Sequence, residues 1–189
     1  MAQRVSQILS QPLNQSMMNG AIFFSGKYGS TEQYANWIGE ATGFPVFDIK
    51  DPNADPSKYD YLILGSSILY FKLSIRKWVR ANLPVLKDRS KILFSVSGAG
   101  PGPKLNRWVT NSLPAELLSQ MEHVALRGRL DHSKLSRRLR LVLWMASLVN
   151  PDPQASKDER HGFDYMERGS IEPIVKMVER SKHSEVPVL

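Results

Sequence analysis

The sequence has 189 residues, 42% of them hydrophobic and 23% charged, which suits a compact domain with a real core and excludes general disorder. It has no cysteine, so disulfides, thiolate zinc sites, cysteine-ligated iron–sulfur clusters and cysteine nucleophiles are excluded. The formal net charge of +7 points to an anionic partner, whether nucleic acid, an acidic membrane surface or an acidic small molecule; the plain alternative is a soluble protein with a basic surface.

In chain order, residues 1–18 are polar with scattered apolar positions and read as a mobile arm, without the apolar run of a secretory leader. Gly20–Ser25 is a short apolar run of β formers and predicts a buried strand. After a turn, Tyr34, Ala35, Trp37, Ile38 and Ala41 recur at helical spacing, with Gly43 as the stop. Phe44–Ile49 predicts a second strand. Tyr59–Ser67 predicts a third, ending in a Gly-Ser-Ser turn. Ser74 then caps a helix carrying Ile75, Trp78 and Val79. Lys91–Gly98 is a fourth strand, the loop after it leads into a short helix around Trp108, and Glu122–Gly128 is a fifth. A helix beginning near Pro173 closes the chain, where proline is tolerated.

Alternating helices and short, continuously apolar strands predict an α/β fold: a doubly wound five-stranded parallel sheet covered on both faces. Residues 19–189 are expected to form one domain, with an extra basic and apolar helical segment at about 128–152 after the fifth strand. No stretch reaches the length of a membrane span, so the expected compartment is the cytoplasm.

In such sheets ligands bind beyond the carboxyl ends of the strands, at the switch in strand order. Three turns should meet there: Gly26–Thr31, Gly65–Phe71 and Ser97–Pro103. The first combines glycines that permit unusual backbone angles, hydroxyls on Tyr28, Ser30 and Thr31, a charge on Lys27, and the amides of a following helix. Amides and helix dipole favour a phosphate. The plain alternative is an ordinary turn with Ser30 or Thr31 as N-cap. The chain lacks both the P-loop spacing and a G-x-G-x-x-G after the first strand. The third strand lacks the terminal aspartate of a receiver domain. The four histidines form no close pair of zinc-ligand spacing, so no metal site is expected.

The strand, the hydroxyl- and glycine-rich turn "YGSTE" (Tyr28–Glu32) and the helix after it resemble the phosphate loop of a flavodoxin-type domain. "GSSILYF" (Gly65–Phe71) and "SVSGAGPGP" (Ser95–Pro103) fall where that family contacts the isoalloxazine. The resemblance spans about residues 20–180 and implies sheet order 2-1-3-4-5 and FMN as cofactor. It implies Lys27, Tyr28, Gly29, Ser30 and Thr31 around the FMN phosphate. Ser66, Ser67, Ile68 and Tyr70 would then lie on one side of the flavin, and Ser97, Gly98 and Ala99 on the other. Tyr70 or Phe71 would stack on the ring, or else pack under the loop. Tyr28 stands where threonine is usual, and the net charge departs from the acidic electron-carrier flavodoxins.

The segment "GRLDHSKLSRRLRLVLWMASLVNPD" (Gly128–Asp152) is similar in layout to an extra segment in the subgroup of menaquinone-dependent protoporphyrinogen oxidase. That resemblance implies an FMN-dependent oxidoreductase, with protoporphyrinogen IX or a similar reduced substrate as donor and a quinone as acceptor. A non-catalytic electron carrier and a binding module that has lost FMN are the alternatives. Residues 134–149 have three readings: a helix lying on an anionic membrane from the cytoplasmic side, a lid whose arginines meet substrate carboxylates, or a helix packed on the domain or in a homodimer. Nucleic acid is not an expected partner. No side chain stands out as a general acid or base; His132, on the extra segment, is the only histidine of interest and otherwise reads as a surface residue.

Overall fold

The computed structural model describes residues 18–131, 133, 135, 140, 141, 144, 145 and 153–184. The expected arm, apart from Met18, lies outside these residues, as do His132 and most of the segment expected at 134–149. Met18 itself packs against the core.

The elements are β1 (Gly20–Ser25), α1 (Ser30–Thr42), β2 (Val46–Asp48), β3 (Tyr61–Leu69), β4 (Lys72–Leu73), α2 (Arg76–Ala81), α3 (Leu83–Leu86), β5 (Ser90–Ser97), α4 (Pro103–Thr110), α5 (Ala115–Leu118), β6 (Glu122–Arg127), β7 (Arg129–Leu130), α6 (Pro153–His161), β8 (Phe163–Asp164) and α7 (Glu172–Ser184). The main sheet runs β2-β1-β3-β5-β6, and every pair along that path is parallel. This is the expected order 2-1-3-4-5, with β4 added as a short antiparallel partner of β3. A second, two-stranded sheet joins β7 to β8.

The inner strands β1, β3 and β5 are largely buried on both sides because helices cover both faces. On one face Ile22, Ile63 and Phe94 meet Tyr34, Ala35 and Ile38 of α1 and Ile174 and Val178 of α7. On the other, Phe23, Leu64 and Leu93 meet Val79 of α2, Leu86 of α3, Leu105 and Val109 of α4 and Leu117 of α5. Each fully buried Ile, Leu or Phe stabilises the fold by about 1.5–3 kcal/mol relative to exposure. Phe23 stacks between Phe47 and Trp78, at centroid distances of 5.3 and 5.4 Å, so α2 is fastened where β1 and β2 pair. Gly43 ends α1 at φ 78° with its N–H on the Gly39 carbonyl, the left-handed stop that glycine adopts without strain.

Two local expectations are corrected. Gly65-Ser66-Ser67 is strand, not turn. Pairing of Ile68 with Leu73 and Leu69 with Lys72 carries β3 onward, and the chain reverses at Tyr70 and Phe71, with φ of 50° and 64°. Such a turn normally takes Asn-Gly, and a left-handed conformation costs an ordinary residue about 1–2 kcal/mol. Ser74 does not cap α2, which starts from Ile75 without a side-chain cap; its hydroxyl instead donates to the Ser25 carbonyl at 2.8 Å. Among the described residues no helix is long and apolar enough to cross a membrane.

A Cβ at Gly65 would run into the ring of Phe94 on the neighbouring strand. Gly65→Ala is expected to cost about 1–3 kcal/mol through this overpacking, read as a lower urea midpoint with unchanged slope. On β6, His123 Nε2 lies 2.8 Å from the hydroxyl of buried Ser95, and burial holds the imidazole below its ordinary pKa. The unfolded chain therefore takes up this proton first as pH falls. Stability is full above about pH 6.5 and is lost as pH falls from there toward the folded value. His123→Gln should narrow the fall in melting temperature between about pH 7 and about pH 5; an unchanged fall would clear His123 of this role.

Candidate functional site at the carboxyl edge of the sheet

The register sets the site. Ser25 on β1 pairs with Ser66 on β3, Ser66 with Ser95 on β5, and Ser95 with Ala125 on β6. One row of residues thus crosses the sheet near its carboxyl edge: the first loop leaves directly after Ser25, the third after Ser97, and β3 runs on to Leu69 before its hairpin turns. The order reverses between β1 and β3, which makes this edge the switch point.

In the first loop, Gly29 has φ 90° and is the N-cap of α1, and no side chain caps the helix. Neither Ser30 nor Thr31 is the cap. The space where a Cβ would stand at Gly29 is open. The first-turn amides of α1 therefore face an uncrowded glycine, an arrangement that accepts an anion. Thr31 packs its side chain against Gly26 and, among the described residues, its hydroxyl has no hydrogen-bond partner. Lys27 is exposed and its ammonium lies 5.4 Å from the centroid of the half-buried Tyr28 ring. The Ser30 hydroxyl is turned away from the loop: it accepts the Arg129 N–H at 3.1 Å.

In the second loop, Ser66 is fully buried. Its hydroxyl accepts the Ile75 N–H at 3.2 Å and lies 3.2 Å from the Ser74 hydroxyl, so Ser66 supports the loop from beneath rather than facing it. Ser67 donates to Ser74 at 3.1 Å, and Ile68 packs against the core. Tyr70 projects freely at 80% exposure, and Phe71 is exposed beside Trp108.

In the third loop, the Ser97 hydroxyl donates to the Ala99 carbonyl at 2.9 Å, and Gly98 is exposed. A Cβ at Gly98 would strike the ring of Phe163.

Sequence reasoning missed the group that bridges the first and third loops. Arg127 stacks its guanidinium over Tyr165, 3.4 Å from the ring centroid, and donates to the Gly98 carbonyl at 3.2 Å. Its Nε is buried and has no hydrogen-bond partner among the described residues. Phe163 and Tyr165 stack at 5.0 Å. Tyr34 donates to the Arg127 carbonyl at 2.8 Å and accepts the Glu167 N–H at 3.3 Å. The β7–β8 pair therefore roots both ends of the chain between residues 131 and 162 beside the phosphate loop and the Gly98 loop. The aromatic spacing of "FDY" was the available signal, but its partners lie more than thirty residues away.

Tyr34→Phe leaves the Arg127 carbonyl and Glu167 N–H without this partner. It should cost about 1–3 kcal/mol, measured by chemical denaturation; a loss within error would show that water replaces the hydroxyl.

The donor set tests well against a flavin phosphate: an open left-handed glycine, an uncapped helix start, a threonine hydroxyl without a hydrogen-bond partner among the described residues and an exposed lysine. Residues 21–157 match the family model of the flavodoxin domain. None of the curated proteins matches this sequence. Solved structures with a similar fold include the Trp repressor binding protein from Bacillus subtilis, 14% identical with a TM-score of 0.45 over 78% of this chain and 99% of that one. They also include the two-electron reduced flavodoxin of Megasphaera elsdenii, 17% identical with a TM-score of 0.46 over 75% and 96%. A flavodoxin from the domain Archaea is 15% identical with a TM-score of 0.40 over 86% and 99%. The chain belongs to the flavodoxin domain family, and its cofactor is FMN.

Proposed function

We propose that this protein is an FMN-dependent oxidoreductase that takes reducing equivalents from an anionic organic substrate and delivers them to a quinone-type acceptor. Protoporphyrinogen IX, with two propionates, is the leading donor. The observation that carries the redox reading is the first loop: Gly29 at φ 90° in front of the uncapped α1, at the carboxyl end of β1, on the side of the sheet where β3 and β5 also end. Lys27, Tyr28, Thr31 and the amides of Gly29 and Ser30 would hold the phosphate. Tyr70, with the backbone near Ser67 and Ile68, would lie on one side of the ring, and Ser97, Gly98 and Ala99 on the other. The flavin supplies the electron and hydride chemistry, while the chain supplies orientation and electrostatics.

Two features favour an enzyme over a simple carrier. The net charge of +7 is unsuited to the basic partners that acidic carriers dock on. Arg127 keeps a fixed cation at the third loop, where a substrate carboxylate gains most from a guanidinium. The residues at 134–149 add further arginines by sequence, as a lid or as a contact with an anionic membrane.

Purified protein titrated with FMN should quench flavin fluorescence to saturation and turn yellow. Thr31→Val, which keeps shape and removes the hydroxyl, should weaken FMN about tenfold or more through loss of a hydrogen bond to a charged group. Unchanged affinity would remove Thr31 from the phosphate site. The loaded protein should then turn over a reduced porphyrinogen with a soluble quinone. Reduction and reoxidation without turnover would make it a carrier.

A further inference from the structure

Arg127 is a cation held in place with no carboxylate to meet. It ends β6, pairs in register with Ser97 of β5 and is half-buried. The carboxylates of this region are engaged by other groups: Asp164 on β8 pairs with Arg129, and Asp158 on α6 accepts the Tyr165 hydroxyl at 2.7 Å. Arg127 forms no ion pair among the described residues, and its Nε is buried with no hydrogen-bond partner there. An unpaired buried donor costs stability, and so does a guanidinium drawn out of water without a counter-ion.

The chain nevertheless fixes this group. The guanidinium lies 3.4 Å from the centroid of the Tyr165 ring, which stacks on Phe163 and whose backbone N–H donates to the Gly128 carbonyl at 3.2 Å. An aromatic face holds a planar guanidinium well. Arg127 in turn holds one peptide of the third loop, because its Nη2 donates to the Gly98 carbonyl at 3.2 Å. The next carbonyl, that of Ala99, accepts the Ser97 hydroxyl at 2.9 Å. In a planar trans peptide the C=O and N–H point in opposite directions. The Ala99 and Gly100 N–H groups are therefore turned away from Arg127 and Ser97, and neither has a hydrogen-bond partner among the described residues. Two oriented donors and a fixed cation are thus left for an electron-rich group from outside the chain.

We propose, on the reading that Ser97–Ala99 pass one side of the flavin, that Arg127 is a positioning residue that makes the site bind reduced flavin more tightly than oxidised flavin and so raises its reduction potential. Hydride transfer from the organic donor adds two electrons and one proton to the uncharged oxidised ring. It leaves that ring with one negative charge at neutral pH and above. The donor, oxidised by two electrons, releases its second proton to solvent. The new negative charge meets the guanidinium and the two amides that Arg127 and Ser97 orient, whereas the uncharged oxidised ring gains less from the same groups. Charge and hydrogen bonds beside the ring nitrogens are the means by which a protein tunes a flavin. The effect is the same whichever organic donor the site accepts.

The test is the reduction potential of the bound flavin, read by equilibration with a redox dye at mildly alkaline pH. Arg127→Gln should lower the potential by at least about 30 mV, which corresponds to a tenfold loss of preference for reduced over oxidised flavin in a two-electron couple. The shift should be the same with riboflavin in place of FMN, since the phosphate takes no part in it. Ser97→Ala, which frees the Ala99 carbonyl and removes no charge, should lower the potential by less. Should the glutamine variant fail to fold, Arg127→Lys keeps the charge, loses the planar stack, and should still fall below the parent. An Arg127→Gln protein that binds both redox states more weakly by one factor, with its potential unchanged, makes Arg127 a structural prop and overturns the proposal. An unchanged potential with a raised KM for a carboxylate-bearing donor gives Arg127 to the substrate alone and equally overturns it. A parent that binds neither FMN nor riboflavin overturns the flavin reading itself, and the proposal with it.

Discussion

The hydrogen bond from Ser74 to the carbonyl of Ser25, 2.8 Å long, is the tie on which the site depends. Ser25 ends β1 and opens the Gly26–Gly29 loop, while Ser74 stands where the β3–β4 hairpin hands over to α2. The same hydroxyl meets those of Ser66 and Ser67, and Ser66 in turn receives the first amide before α2. Five polar groups that would each be costly to bury alone satisfy one another. Their effect is to fix the end of β1 against Ser66 and Ser67 of β3 and the start of α2. A phosphate held by one loop and a ring held by the other can only be positioned together if that junction is fixed.

The second constraint comes from across the sheet. Tyr34 on α1 reaches the carbonyl of Arg127 at the end of β6, and Ser30 reaches Arg129 just beyond it. The helix α1 is thereby fastened to the root of the chain between β7 and β8. The rings of Phe163 and Tyr165 then carry Arg127 to the Gly98 carbonyl. Anything that displaces this root reaches both the phosphate loop and the third loop through short, named contacts.

Much of this was legible in the sequence, for physical reasons. Runs such as Ala21–Phe24 and Tyr61–Leu64 are continuously apolar because helices cover both their faces, and that pattern exposes both their existence and their parallel pairing. Gly43 announces the end of α1 because few residues adopt its backbone angles. The hairpin at Tyr70–Phe71 was hidden because its turn carries none of the glycine or asparagine that such turns normally require. Ser66 was misplaced for a related reason: Gly-Ser-Ser reads as a turn by composition, and only pairing with Ser25 and Ser95 makes it strand. The Arg127–Tyr165 stack and the β7–β8 pair join residues far apart in sequence, and no local period encodes such a contact.

The central claim is that the Gly29 loop and the start of α1 hold the phosphate of FMN. Comparison of FMN with riboflavin, which lacks that phosphate, tests it most directly. Fluorescence titration should show FMN bound at least tenfold more tightly than riboflavin, with inorganic phosphate competing against FMN and leaving riboflavin unaffected. The factor corresponds to about 1.4 kcal/mol of phosphate recognition. Equal affinity for the two flavins would contradict the account.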